Sequence, residues 1–97
     1  MKNKKLEIVI ENIELDNLCR ILDKAKVTGY TIIPEVTGKG TLGKKITFGL
    51  SDIIKYAMII IIESDEKTKE IIEKIKPIMR TYSGIAFISN TEIIDFK

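Results

Sequence analysis

The residues best suited to chemistry lie in one glycine- and lysine-rich segment, residues 27–43, VTGYTIIPEVTGKGTLG. Gly38, Lys39 and Gly40 follow a run rich in β-branched residues, and Lys44 and Lys45 come just behind. Backbone N–H groups free of Cβ crowding, with ammonium groups beside them, suit an anion such as a phosphate. A plain flexible turn has the same composition, so the surrounding elements must decide. Arg80 is a second candidate: its guanidinium can grip a phosphate bidentately or cap a helix C-terminus. Glu63, Asp65 and Glu66 gather acids at a helix start, which reads as capping and dipole chemistry, not a metal site. Glu35 lies in the same run as the glycines and reads equally well as a solvent-side residue.

Composition excludes much else. The chain has 97 residues, 44% of them apolar, which is enough for one domain with a small core. It has no histidine, which removes His-based triads and imidazole metal sites. Its single cysteine, Cys19, forms no intrachain disulfide and no thiolate cluster, and its place in an apolar stripe predicts burial as a small hydrophobe. Nothing spaces nucleophile, base and orienter for covalent catalysis, so an enzyme is not expected. Sixteen basic residues balance fourteen acidic ones, against the strong excess expected of a nucleic-acid binder. The longest apolar run, residues 57–62, is far short of a membrane span of about 20 residues. A soluble, cytoplasmic protein without membrane insertion is the expectation.

The elements that would position these residues follow from periodicity. Residues 5–11 alternate Leu6, Ile8 and Ile10 against Glu7 and Glu11, a strand with one apolar face. Asn12 is placed to cap a helix carrying Leu15, Leu18, Cys19, Leu22 and Ala25 at helical spacing, with Gly29 as its stop. Residues 30–36 form a second strand, which Pro34 confines to a sheet edge or a bulge. After a loop over residues 37–52, residues 53–63 form a third strand. Its apolar residues run on without alternation from 57 to 62, so burial on both faces is expected. Ser64 or Asp65 opens a second helix with Ile71, Ile72, Ile75 and Met79 on one stripe, which Pro77 should kink or end. Gly84 breaks it, residues 85–89 form a fourth strand, and residues 92–96 a short fifth strand or tail.

The order β-α-β-β-α-β is the split βαβ, ferredoxin-like arrangement: an α+β domain with two helices on one face of a four-stranded antiparallel sheet. One domain covers only one face of that sheet. The Ile-rich third strand would leave an apolar patch on the other, so a homo-oligomer is expected.

With these residues the pattern resembles the PII signal-transduction superfamily, and within it the short PII-like branch that includes bicarbonate-transporter and carboxysome-associated members. The matching pieces are LDNLCRILDKAKVTGYTIIPEVTGKG and RTYSGIAFIS. The resemblance implies a homotrimer with sheets facing inward and an adenine nucleotide as effector in clefts between subunits. It also implies a loop after the second strand, the T-loop, that docks onto a regulated protein such as a membrane transporter. It assigns Gly29 and Thr31 to the adenine end of a neighbour's nucleotide, and Gly38, Lys39 and Gly40 to the T-loop base. Lys55 becomes a ligand-facing lysine. Arg80, Ser83 and Gly84 fall near the phosphate loop, and Lys44, Lys45 and Phe48 on the partner-binding loop.

Several positions depart from the nitrogen-regulating members. Thr41 and Leu42 follow Gly40 where those carry Arg-Gln, and the loop has no tyrosine to modify. SGIAF replaces the Gly-Asp-Gly-Lys phosphate loop. These changes favour AMP, ADP or cyclic AMP over ATP. Three alternatives share the topology. One is a CutA-like trimer, which the absence of histidine disfavours as a metal binder. Another is a small-molecule-sensing module. The third is an RNA-binding domain, which needs exposed aromatics on its central strands, whereas strand one has none and strand four offers only Phe87.

Overall fold

The computed structural model describes residues 3–38, 55–82 and 84–97. Strand β1 (Asn3–Glu11) leads through a 3-10 turn (Asn12–Glu14) into helix α1 (Leu15–Lys24). Strands β2 (Thr31–Val36) and β3 (Tyr56–Glu63) follow, then helix α2 (Asp65–Thr81) and strand β4 (Gly84–Thr91). The sheet order is β2-β3-β1-β4, and every neighbouring pair is antiparallel. This is the expected α+β ferredoxin-like arrangement. The fifth strand expected over residues 92–96 does not form; residues 92–97 are irregular and exposed.

The core is one apolar layer between sheet and helices. Leu6, Ile8 and Ile10 of β1 meet Ala57, Ile59 and Ile61 of β3, all fully buried. From above, Leu18 and Leu22 of α1 and Ile71, Ile75 and Ile78 of α2 close over them. Thr68 joins this layer because its hydroxyl is satisfied within its own helix, donating to the Ser64 carbonyl at 2.8 Å. Cys19 stands only half-buried at the edge of this layer, contrary to the burial its spacing predicts, because Leu18 and Leu22 take the inward face.

β3 also differs from expectation. Its residues alternate, with Ala57, Ile59 and Ile61 inward and Met58, Ile60 and Ile62 toward the uncovered face. In one chain, therefore, β3 is buried on one face only.

Both ends of α1 have other causes than the sequence suggests. Asn12 does not cap α1; its backbone N–H donates to the Lys55 carbonyl at 2.8 Å, and Glu14 occupies the cap position without a side-chain cap bond. α1 ends at Lys24 and is closed at Lys26, not at Gly29. Lys26 has φ 58°, its N–H bonds the Asp23 carbonyl at 3.0 Å, and Val27 N–H bonds the Leu22 carbonyl at 3.4 Å. That pair of bonds is a Schellman closure with lysine where glycine is usual. Ser64 does cap α2, accepting from Lys67 N–H at 3.1 Å. α2 then runs through Pro77 to Thr81. Burial of Ile75 and Ile78 on either side of Pro77 offsets the hydrogen bond that the proline cannot donate.

Candidate functional site

One end of the sheet gathers most of the described candidates. Val36 pairs with Tyr56, Tyr56 with Glu11, Ala57 with Ile10 and Ile10 with Gly84, so the end of β2 and the starts of β3 and β4 share two neighbouring rows. Gly38 lies just past β2, Lys55 just before β3, and Arg80 in the last turn of α2, which delivers the chain to Gly84.

Pro34 makes this end irregular. The β2–β3 register shifts between Ile33 and Val36, so Pro34 and Glu35 form a bulge on an edge strand, as the proline predicts. Glu35 sits in the bulge at φ 55°. From there its carboxylate reaches Lys55, with Nζ to Oε1 at 3.3 Å and both side chains exposed. The Lys55 backbone is fixed by its bond from Asn12 N–H. The lysine at the head of β3 is thus anchored through its main chain, with an internal carboxylate on its ammonium. Sequence reasoning had both residues but not their pairing, which requires the bulge to turn Glu35 toward β3.

Gly84 has a packing reason of its own. A Cβ here would lie closer than 3.0 Å to the Val9 carbonyl oxygen and 3.3 Å from Ile10 Cα. β1 and β4 approach too closely for any side chain. At Gly29 and Gly38 a Cβ would meet nothing within 4 Å, so open space adjoins both.

Gly29 and Thr31 are not part of this cluster. Thr31 pairs with Ile60, four residues along β3 from Tyr56 and roughly 13 Å away at the rise of a strand. Beside them Thr28 N–H donates to Glu63 Oε2 at 2.6 Å, tying the turn after α1 to the end of β3. Glu63 thus serves that turn rather than the start of α2. Tyr30, next in the chain, has its phenol pushed up to about 12, first by its hydrogen bond with Cys19, then by burial and by Asp23. Its hydroxyl donates to Asp23 Oδ1 at 3.1 Å, so losing the proton would break that bond and face a carboxylate. Lys39, Gly40, Lys44, Lys45, Phe48 and Ser83 lie outside the described residues. Among those described, no three acidic, cysteine or histidine residues are grouped to hold a metal, and no helix is long and apolar enough to cross a membrane.

The family model for nitrogen regulatory protein P-II matches residues 3–95. The chain belongs to the P-II family. Among solved structures it resembles CPII from Thiomonas intermedia K12, a nitrogen regulatory PII-like protein. One such structure, bound to ADP, AMP and acetate, is 29% identical, with TM-score 0.80 over 97% of this chain and 90% of that one. Another, bound to ADP, AMP and bicarbonate, is 28% identical, with TM-score 0.80 over 98% and 96%. A PII-like signalling protein from Thermus thermophilus, at 22% identity and TM-score 0.74 over 97% and 91%, shares the fold. A search of curated proteins returned no match. The likeness to CPII supports the short PII-like branch of the superfamily.

Proposed function

We propose that this protein is a PII-like regulator that binds an adenine nucleotide between subunits of a homotrimer and signals to a partner protein. The observation that carries the reading is the likeness to CPII, which spans nearly the whole of both chains and includes complexes with ADP and AMP. In this reading Gly38, Lys55, Arg80 and Gly84, at one end of the sheet, face the phosphates. Gly29 and Thr31, about 13 Å along it, serve the adenine end of the nucleotide held by the neighbouring chain. That division explains why candidates for one ligand lie apart in a single chain.

The uncovered sheet face supports self-association. Ile33, Ile62 and Phe87 are exposed there, and Met58 and Ile60 are half-buried. Apolar side chains grouped on one open face mark a surface suited to association. The loop between β2 and β3, with Lys44, Lys45 and Phe48, would carry the state of the site to the partner, a membrane transporter being one class that fits. The cytoplasm is the proposed compartment. The departures from the nitrogen-regulating pattern favour AMP, ADP or cyclic AMP over ATP, with bicarbonate as a candidate co-ligand.

Isothermal titration with AMP, ADP, ATP and cyclic AMP, with and without magnesium and bicarbonate, tests this directly. Saturable binding near one nucleotide per chain is expected. Gly29→Val, at a position where the added side chain has open space, should weaken it and leave the oligomer intact. No heat from any nucleotide, in a protein that sediments as a trimer, would refute the nucleotide reading while leaving the fold in place.

A further inference from the structure

An apolar groove opens on the helix side of the sheet where α2 stops short of the outer edge of β4. Leu6, Ile72, Ile75, Met79, Ala86 and Ile88 line it, with Lys76 at the rim, and its volume is about 270 Å³. About 150 Å³ of apolar space suffices for a benzene ring. Ile88 is 48% exposed there, although its pairing partner Leu6 is fully buried. β4 ends the sheet order, so one row of its backbone groups has no strand beside it among the described residues. An open strand edge next to an apolar groove selects an extended peptide whose alternate side chains are apolar: the edge bonds the main chain and the groove takes every second residue.

Residues 92–97, EIIDFK, have that form. Ile93 is 63% exposed, Ile94 69% and Phe96 92%, an uncovered apolar density found in no other described segment of this length. In an extended conformation Glu92, Ile94 and Phe96 share one side. Ile94 and Phe96 would enter the groove and Glu92 would meet Lys76 at its rim, where that lysine now pairs with Glu73.

The segment does not reach its own groove in this way. It leaves β4 at Thr91, which still pairs with Asn3. The tightest return, a two-residue hairpin at Glu92 and Ile93, would place Ile94 opposite Thr91 and Phe96 opposite Ser89. Opposed residues share a face. Ser89 pairs with Lys5, on the face away from the helices, whereas Ile88 pairs with Leu6 on the groove side. The hairpin would therefore put Phe96 on the wrong face, and it would need a β-branched residue at a turn position that favours positive φ. A strand from another molecule is free of that register.

We infer that residues 92–97 of one copy dock as an added strand on β4 of a second copy, with Ile94 and Phe96 in the α2–β4 groove. Groove and strand are different surfaces of one chain, so the contact is head-to-tail and repeats around a closed ring. The inference rests on the self-association part of the proposed function and needs no nucleotide.

Co-expression of two chains of different length, both carrying Cys19→Ser, one with Ile88→Cys and the other with Phe96→Cys, tests the contact. On oxidation the cross-linked species should contain one chain of each length and run at their summed mass on a non-reducing gel. Absence of that species in a folded oligomer overturns the docking. So does an intrachain disulfide in the double variant Ile88→Cys/Phe96→Cys. Sedimentation of the unaltered protein separates the two claims: a monomer overturns both the docking and the self-association, whereas an oligomer without the cross-link overturns the docking alone.

Discussion

Replacing Gly84 with alanine tests whether this glycine is held by packing or by a ligand. The new Cβ would lie within 3.0 Å of the Val9 carbonyl oxygen, 3.2 Å from Met79 Cε and 3.3 Å from Ile10 Cα. Met79 is flexible and can move aside. The other two atoms belong to the backbone of β1, the strand that pairs on both sides and carries Leu6, Ile8 and Ile10 into the core. Relief therefore means parting β4 from β1 at its first ladder position. Overpacking of this kind costs about 1–3 kcal/mol, and the backbone location sets the expectation near 2 kcal/mol. For a domain of this size that lowers the melting temperature by about 8–16 °C. Thermal unfolding followed by circular dichroism, at one fixed protein concentration because an oligomer's midpoint depends on it, reads the shift. A variant that melts within about 2 °C of the parent would refute the packing argument. If that same variant also lost ADP binding, the ligand role would stand instead.

Four further outcomes are expected. Lys26→Gly should stabilise the protein by about 0.5–1 kcal/mol in denaturant unfolding, since glycine takes the left-handed closure of α1 without the Cβ penalty. Ser64→Ala should cost about 1 kcal/mol by the same assay, because it removes the acceptor for Lys67 N–H. Tyr30 holds its proton above the usual tyrosine range, up to about 12. As pH rises past 10 the unfolded chain would release that proton while the folded one keeps it, so this contribution to stability is intact below 10 and falls away toward 12. Ultraviolet phenolate titration should therefore lose a step near pH 12 in Tyr30→Phe. Lys55→Ala should weaken ADP binding about tenfold, and Glu35→Gln should strengthen it by removing the competing carboxylate. Both should change stability by under 1 kcal/mol, about the worth of an exposed ion pair, so a large loss of stability in either would show that the pair is structural.

Legibility in the sequence followed how many partners each element serves. β1 could be read from Leu6, Ile8 and Ile10 because its other face carries Glu7 and Glu11. β3 could not be read for burial, because Met58, Ile60 and Ile62 are apolar with nothing over them in one chain. Pro34 announced the edge and the bulge, since a missing donor leaves few other places in a sheet. Pro77 does not end α2, which runs on to Thr81 with Ile75 and Ile78 buried on either side of the proline. The end of α1 was hidden, because lysine at φ 58° has no sequence signature while the nearby Gly29 does. The anion-suited composition around Gly38 was visible. The Glu35–Lys55 pairing was not, since it depends on which way a bulged residue turns.

The strand registers carry a consequence for synthesis. β1 is made early, yet it pairs only with β3 and β4: Lys4 faces Glu63 on one side and Asn90 on the other. The sheet cannot close until a ribosome has delivered nearly all of the matched sequence. Until β3 is made Leu6, Ile8 and Ile10 have neither neighbouring strand, and until β4 follows they have only one. Pairing at such separation is slow, and the waiting strand exposes sticky backbone and isoleucine to whatever else is nearby. α1 can form beforehand and shield part of that surface, because its closure at Lys26 uses only contacts between residues 22 and 27.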